Sequence, residues 1–485
     1  MQSQLADTVF RNGLVVTPSG VVEGGVAISG GKIVAVGRDS FLPAAARQID
    51  LGGKYLLPGL VDPESHLGAI RSLAQDFETE TRAAAASGVT TWGLQLSSVF
   101  ITGTAAEIRG PDDIPTFTRA MPSFLQAGRG SLIDYFLTPI VTTDRHMEEI
   151  PSLAAEHGIT SFKFHLNYAG DWRPDRAAYA FDDGTVYAAF KAVSELGSPG
   201  VVLLHCENWG IARVLQERLT AAGRKDMGAW DDHSPWFTEA VHARAYLYYA
   251  KLTGCPVYVV HVTSEETVVE VEKAKAEGVV AYGEIGTHYL VLHKDAWRIN
   301  VPLRDRSTHE GLWRALASGR IDCIGSDHVS HERTRESMET GNVWTTISGF
   351  PSRVEGMLPM MLSEGVNKGR ITIERLAKVS SENPARIFGL YPQKGAIAVG
   401  SDADLVVVDL QRRARMTRDM LHTVTPWTIF EGREVTGWPV MTVLRGQVVM
   451  EWPEGEPRSR VVGSPSGQYL KRRLARSDRT STTPA

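Results

Sequence analysis

The chain has 485 residues, longer than one average domain, so two structural units are the working expectation. Hydrophobic residues supply 43% and charged residues 22%, as in a soluble enzyme, and a formal net charge of −5 gives no reason to expect a nucleic-acid partner. Cys206, Cys255 and Cys323 stand far apart with no Cys-X-X-Cys pair, which argues against a disulfide framework or a thiolate zinc site and for small buried hydrophobes.

Met1 to Asp7 contains no basic region followed by an apolar core, and no stretch reaches about 18 uninterrupted apolar residues. A cytoplasmic protein with no membrane partner is expected. Residues 1–57 read as short β segments with glycine turns, including Leu14-Val15-Val16 and Lys32 to Val36, and Val26 to Ile33 predicts a hairpin through Gly30-Gly31. From 58 to 388, compact apolar runs alternate with amphipathic stretches such as Glu265 to Glu277. The runs are Leu56-Leu57 at the boundary, Thr90-Thr91-Trp92, Leu132 to Pro139, Ser161-Phe162-Lys163, Val201 to Leu204, Val257 to Val260, Val279 to Tyr282 and Ile321 to Ile324. About eight parallel strands separated by helices suit a closed (β/α)₈ TIM-like barrel better than an open sheet.

Residues 389–457 return to β character in Asp404 to Asp409 and Val440 to Val449, so the two chain ends are expected to build one smaller β-sandwich domain around an α/β barrel. Residues 458–485, rich in Arg, Ser, Thr and Pro, read as a carboxy-terminal arm or tail. Within it, Lys471-Arg472-Arg473 reads as a solvated or subunit-bridging basic patch.

The polar residues that end the apolar runs point to chemistry. Glu64 and His66 close the run Gly59 to His66, His205 follows Val201 to Leu204, His261 follows Val257 to Val260, and Asp327 follows Ile324-Gly325-Ser326; Lys163 ends Ser161-Phe162-Lys163. Strand ends of a (β/α)₈ barrel converge on one mouth, and several unpaired polar groups there are costly unless a metal or a hydrogen-bond network satisfies them. Side chains alternate along a strand, so Glu64 and His66 point the same way and could share one cation. A carboxylate in place of the first histidine of a His-X-His pair favours harder, oxygen-loving ions. His328 should turn to the other side of its strand from Asp327, and His288 reads as structural; His331, His165 and His233 show no spacing that assigns them a partner. Trp92, Trp172, Trp209 and Trp344 are candidates for an aromatic pocket.

Ordered segments along almost the whole chain carry a resemblance. They include Pro58-Gly59-Leu60-Val61-Asp62, Ser161-Phe162-Lys163, His205-Cys206-Glu207-Asn208, Val260-His261-Val262-Thr263-Ser264, Pro302-Leu303-Arg304, Ser326-Asp327-His328 and Asn383-Pro384-Ala385-Arg386. In these the chain resembles the amidohydrolase superfamily and, within it, the hydantoinase and dihydropyrimidinase family. The resemblance implies two divalent metal ions, zinc or manganese, bridged by Lys163 as N6-carboxylysine, with His205 and His261 on one ion and Glu64, His66 and Asp327 on the other. It further implies a metal-bridging hydroxide that opens the C–N bond of a cyclic amide or imide. Asp327 would serve as general base and then acid, and Tyr168 as donor to the oxyanion. Gly463 to Tyr469 resembles the family's arm onto a neighbouring subunit, which implies a homo-oligomer, dimer or tetramer.

Recognition of substrate departs from the pattern. Dihydroorotases and allantoinases place an arginine two residues after the His-X-His pair, where this chain has Gly68, so a carboxylate-bearing substrate is disfavoured. Hydantoinases present a serine and an asparagine to the cyclic imide edge, where this chain has Asn300 and Gly349. Two other readings stand beside ring opening: hydrolysis of an acyclic amide, ureide or hydrazide, and a non-catalytic dihydropyrimidinase-related scaffold. The retained Lys163, His66, His205, His261 and Asp327 argue against the scaffold.

Overall fold

The structure, a computed structural model, describes residues 5–166, 182–347 and 352–475. Strands β1 (Ala6–Thr17), β2 (Gly20–Ser29), β3 (Lys32–Gly37), β4 (Ala45–Asp50) and β5 (Tyr55–Pro58) open the chain. Next come β6 (Leu60–Ser65), β7 (Val89–Leu96), β8 (Asp134–Pro139), β9 (Ser161–His165), β10 (Val201–His205), β11 (Val257–Val259), β12 (Ala281–Gly286) and β13 (Cys323–Gly325). Strands β14 (Leu405–Arg415), β15 (Glu434–Leu444), β16 (Gln447–Glu451) and β17 (Arg460–Val461) follow.

The strands β6 to β13 pair in parallel as neighbours, in one set of three and one of five. Bridges between Ile140 and Lys163 and between Ser65 and His328 join the sets. At the closing seam the Asp327 N–H donates to the Glu64 carbonyl at 3.0 Å and the His66 N–H to the His328 carbonyl at 2.8 Å. The sheet is a closed barrel of eight strands, each followed by helix, the arrangement that buries continuous apolar strands on both faces. The helix Glu265–Ala276 shows why these segments wind. The Ser264 hydroxyl caps it by accepting from the Thr267 N–H, acids occupy its first turn, and Lys273 and Lys275 sit in its last.

The chain ends build a nine-stranded sheet in the order β17-β16-β15-β14-β5-β1-β2-β3, with β4 pairing along the first half of β1. Its core takes Phe10, Val15, Val26 and Leu56 from one end and Leu405, Val407 and Val443 from the other. The β2–β3 turn falls at Gly30-Gly31, both in the left-handed region that glycine tolerates. Leu56-Leu57 belongs to this sheet, since β5 pairs with β1 and β14, and Leu60–Ser65 is the first barrel strand instead. Lys394 ties the sheet to the barrel. Its ammonium lies 2.5 Å from Asp134 at the start of β8, 2.9 Å from Asp402 and 2.6 Å from Asp404, all buried.

Of the basic run Lys471-Arg472-Arg473, the outer two residues are exposed but the middle one is not solvated. Arg472 is buried beneath the chain's own barrel, donating to Ser161 Oγ at 2.6 Å, the Leu137 carbonyl at 2.7 Å and the Gly158 carbonyl at 3.2 Å. Tyr469 packs edge-on against Phe124, and the Leu470 N–H donates to the Tyr135 carbonyl. Residues 467–475 are therefore an arm on their own barrel; a solvated patch would leave these hydrogen bonds to water. Among the described residues no helix is long and apolar enough to cross a membrane.

Candidate metal centre at the barrel mouth

The strand-end residues meet at one mouth. Glu64, His66 and Asp327 bring ligand atoms within 4.8 Å of one another. His66 Nε2 lies 3.2 Å from Asp327 Oδ1, and His261 Nε2 lies 2.8 Å from His205 Nδ1. Lys163 and Glu64, both fully buried, stand 3.1 Å apart. His261 and Asp327 have positive φ, 38° and 48°, an unfavourable backbone for residues with a Cβ that is found disproportionately at functional sites.

Neighbours fix the imidazole tautomers. His66 Nδ1 is 3.1 Å from the Gln95 carbonyl, which can only accept, so that nitrogen carries the hydrogen and Nε2 turns a lone pair toward Asp327. His205 Nε2 is 3.3 Å from Glu207 Oε2, which leaves Nδ1 as an acceptor facing His261. Burial works against the Glu207 carboxylate, but the hydrogen bond and charge of His205, with the Ser234 hydroxyl and His233, together outweigh it and hold the carboxyl down at about 2. This imidazole–carboxylate pairing is the usual support of a metal-bound histidine. Buried His261 Nδ1 has no hydrogen-bond partner, and burial, with His205 and Lys163 nearby, holds this ring well below the usual histidine range.

Around this set lie groups that the sequence reading did not single out. Asp62, buried, accepts from the Ser326 N–H, the Glu64 N–H and Trp92 Nε1, pinning β6 to β13; burial raises it to about 6. Trp92 is therefore a wall residue. Glu284, on β12, is pushed far above the carboxylate range by burial and by the Glu64 charge, and its Oε2 accepts from the Tyr258 hydroxyl at 2.9 Å. Arg353, buried, donates to Asp327 Oδ2 at 2.9 Å and approaches His288 Nε2 at 3.5 Å. Burial raises Asp327, but Arg353 and then His66 outweigh it and hold this carboxyl well below its usual range. His165 ends β9 in register with His205; its ring centroid is 5.8 Å from that of His66 and 5.7 Å from that of His205.

His165 follows Lys163 by two residues and Glu207 follows His205 by two, so strand alternation carried a signal for both. Glu284 was missed because the β12 run was placed at Val279 to Tyr282, short of it. Arg353 lies in a loop, where periodicity carries no signal. His328 turns away to Glu80, 2.8 Å from its Nε2, and His288 abuts Arg353. Asn300 is half-buried between Ile299, whose carbonyl accepts from Trp230, and Val301, whose carbonyl accepts from Tyr289. Tyr168, Gly349 and Trp172 lie outside the described residues. Gly68 has φ of +77°, and its N–H donates to Asp76 Oδ2, so an arginine there would be strained. The acids Asp134, Asp402 and Asp404 also converge, but Lys394, Arg445 and Lys32 already pair with them.

Eight parallel strands that deliver imidazoles and carboxylates to one mouth define a (β/α)₈ protein of the kind whose strand ends carry its chemistry. Residues 250–449 match the model of the Amidohydrolase family. An L-hydantoinase of Paenarthrobacter aurescens is 33% identical over 482 residues, covering 96% of this chain and 98% of the relative. An allantoinase of Escherichia coli is 32% identical over 479 residues, with 96% and 98% covered. Among solved structures, the L-hydantoinase (dihydropyrimidinase) of Arthrobacter aurescens superposes with a TM-score of 0.84 at 31% identity, over 96% of this chain and 100% of that one. The chain belongs to the amidohydrolase family, in its hydantoinase and dihydropyrimidinase group.

Proposed function

We propose that this protein is a metal-dependent hydrolase that opens the C–N bond of a cyclic amide or imide of the hydantoin or dihydropyrimidine type. The observation that carries the reading is a contact in which acceptor faces acceptor, His66 Nε2 with Asp327 Oδ1 at 3.2 Å, beside a His205–His261 pair that leaves buried His261 Nδ1 without a hydrogen-bond partner. Lone pairs brought together in a buried site need a proton or a cation between them. With supporting partners already on the outer nitrogens of His66 and His205, the donor set fits divalent ions. The relatives, named hydantoinase, dihydropyrimidinase and allantoinase, support ring opening.

In this reading His205 and His261 would hold one zinc or manganese ion and Glu64, His66 and Asp327 the other, with Lys163 as carboxylysine contributing to both. A carbamate beside Glu64 would be two anions in contact, so carbamylation and ion binding stand together. Ions bound there supply acidified water and polarise the scissile carbonyl. Asp327 accepts the proton as water attacks and returns it to the leaving nitrogen, and Arg353 fixes the carboxylate's direction through Oδ2. Tyr168 donates to the oxyanion, and Asn300 with Gly349 stands at the imide edge. The chain divides as 1–57 and 389–457 for the sandwich, 58–388 for the barrel and 458–485 for the arm, and works as a cytoplasmic dimer or tetramer.

A panel of 5-substituted hydantoins, dihydrouracil and acyclic ureides, assayed with the zinc- or manganese-loaded protein, tests the substrate class. Ring opening of the cyclic members is expected. Turnover confined to acyclic members would replace this reading with the acyclic one, and no turnover of either would favour a scaffold.

A further inference from the structure

Glu64 is the place where an imidazole is missing, and it offers a carboxylate oxygen in place of a ring nitrogen. Its Oε1 is 3.1 Å from Lys163 Nζ, both side chains being fully buried. The mouth nevertheless contains four imidazoles, because His165 has been added to His66, His205 and His261. Imidazole nitrogens bind such ions at roughly 2.0–2.1 Å, so two rings on one ion have centroids roughly 5 to 6 Å apart. His165 meets that spacing on both sides at once, 5.8 Å from His66 and 5.7 Å from His205. No other described histidine stands between the two halves of the donor set.

We propose that His165 is a metal-ligating residue of this centre, supplying from the end of β9 the imidazole that position 64 lacks. The donor set is thus redistributed: nitrogen is lost from β6 and regained on β9, two residues beyond Lys163 on the same side of the strand. An ion that takes two imidazoles, from His66 and His165, beside Asp327 is better suited to zinc or cobalt than one held by Glu64, His66 and Asp327 alone. This inference rests on the metal-dependent reading above.

The test is titration of chelator-stripped full-length protein with Co²⁺. Visible absorption reports the coordination of the ion, metal analysis gives the stoichiometry, and circular dichroism verifies the fold of each apo-protein. His165→Phe and His165→Gln are compared with the unaltered chain, and the variant whose apo-protein spectrum matches it is the one read. Loss of at least about tenfold in Co²⁺ affinity, with an altered visible band, is expected. Equal affinity, stoichiometry and band would overturn the role of His165 while leaving the metal-dependent reading in place. Failure of the unaltered chain to bind Co²⁺ would overturn both.

Discussion

Asp327 is held by three different agents: a left-handed backbone at φ 48°, His66 on Oδ1 and Arg353 on Oδ2. Such over-determination is what a proton carrier needs, because a carboxylate that swings loses its alignment with both water and leaving group. Asp327→Asn keeps the shape and removes the base. Activity should fall by about 10²- to 10⁴-fold while the thermal midpoint stays close to that of the unaltered chain; a variant with activity within a few fold would take Asp327 out of the proton path. Glu355 offers a pH test away from the mouth. Burial pushes its carboxyl up to about 8, although it accepts the N–H groups of His422 and Thr423. The folded state therefore keeps a proton that the unfolded chain releases above the ordinary Glu value of 4.5. Stability from this group is present below that value and is lost, at about 1.4 kcal/mol per pH unit, as pH rises toward 8. Urea unfolding at pH 5 and pH 8 should show a smaller decline for Glu355→Gln than for the unaltered chain, and equal declines would contradict the shift. The candidate ligands at the ends of β6, β10, β11 and β13 are legible in the sequence because each follows an apolar run. His165 is less plain: alternation sets it on the Lys163 side of β9, but a histidine two residues past a lysine gains a role only when β10 sets His205 beside it.

The elements that close the barrel depend on contacts remote in sequence. Arg472 lies beneath β8 and β9, its guanidinium donating to three acceptors and its plane over Phe136. The sequence around it is basic and polar, and such composition alone reads as solvated. Only the base of the folded barrel supplies the carbonyls that make burial of an arginine tolerable. Arg472→Ala should cost about 2 to 4 kcal/mol in denaturant unfolding, because Ser161 and two carbonyls lose their donor; a change below 0.5 kcal/mol on the scale of ordinary surface substitutions, roughly the limit for such sites, would mean the arm is loosely held. Removal of residues 458–485 would therefore strip the barrel base as well as any contact with a neighbouring subunit. Leu56-Leu57 shows the matching limit for strands. A short apolar run does not say which sheet it joins, and β5 is claimed by β1 and β14 through pairings made far along the chain.

At the level of the whole molecule, the terminal sheet and the barrel are fastened by Lys394 among Asp134, Asp402 and Asp404, with Arg445 also on Asp134. Lys394→Met leaves three buried carboxylates short of a cation, and unfolding should be easier by about 3 to 5 kcal/mol; thermal unfolding of the variant alongside the unaltered chain measures it, and an unchanged midpoint would show the fastening lies elsewhere. Period and turn chemistry made the alternation of strand and helix readable along the chain, and with it the closed barrel. What they could not supply was the inward register of each strand, which decides that Glu284 and Asp62 form a polar floor beneath the mouth. The central claim is that this floor and mouth hold metal ions on a carbamylated lysine. Metal analysis of the protein saturated with zinc or manganese, read together with the intact mass of the peptide containing Lys163, tests it most directly. Two ions per chain and a mass increase of one carbon dioxide at Lys163 are predicted; no bound metal under saturation, with Lys163 unmodified, would contradict the account.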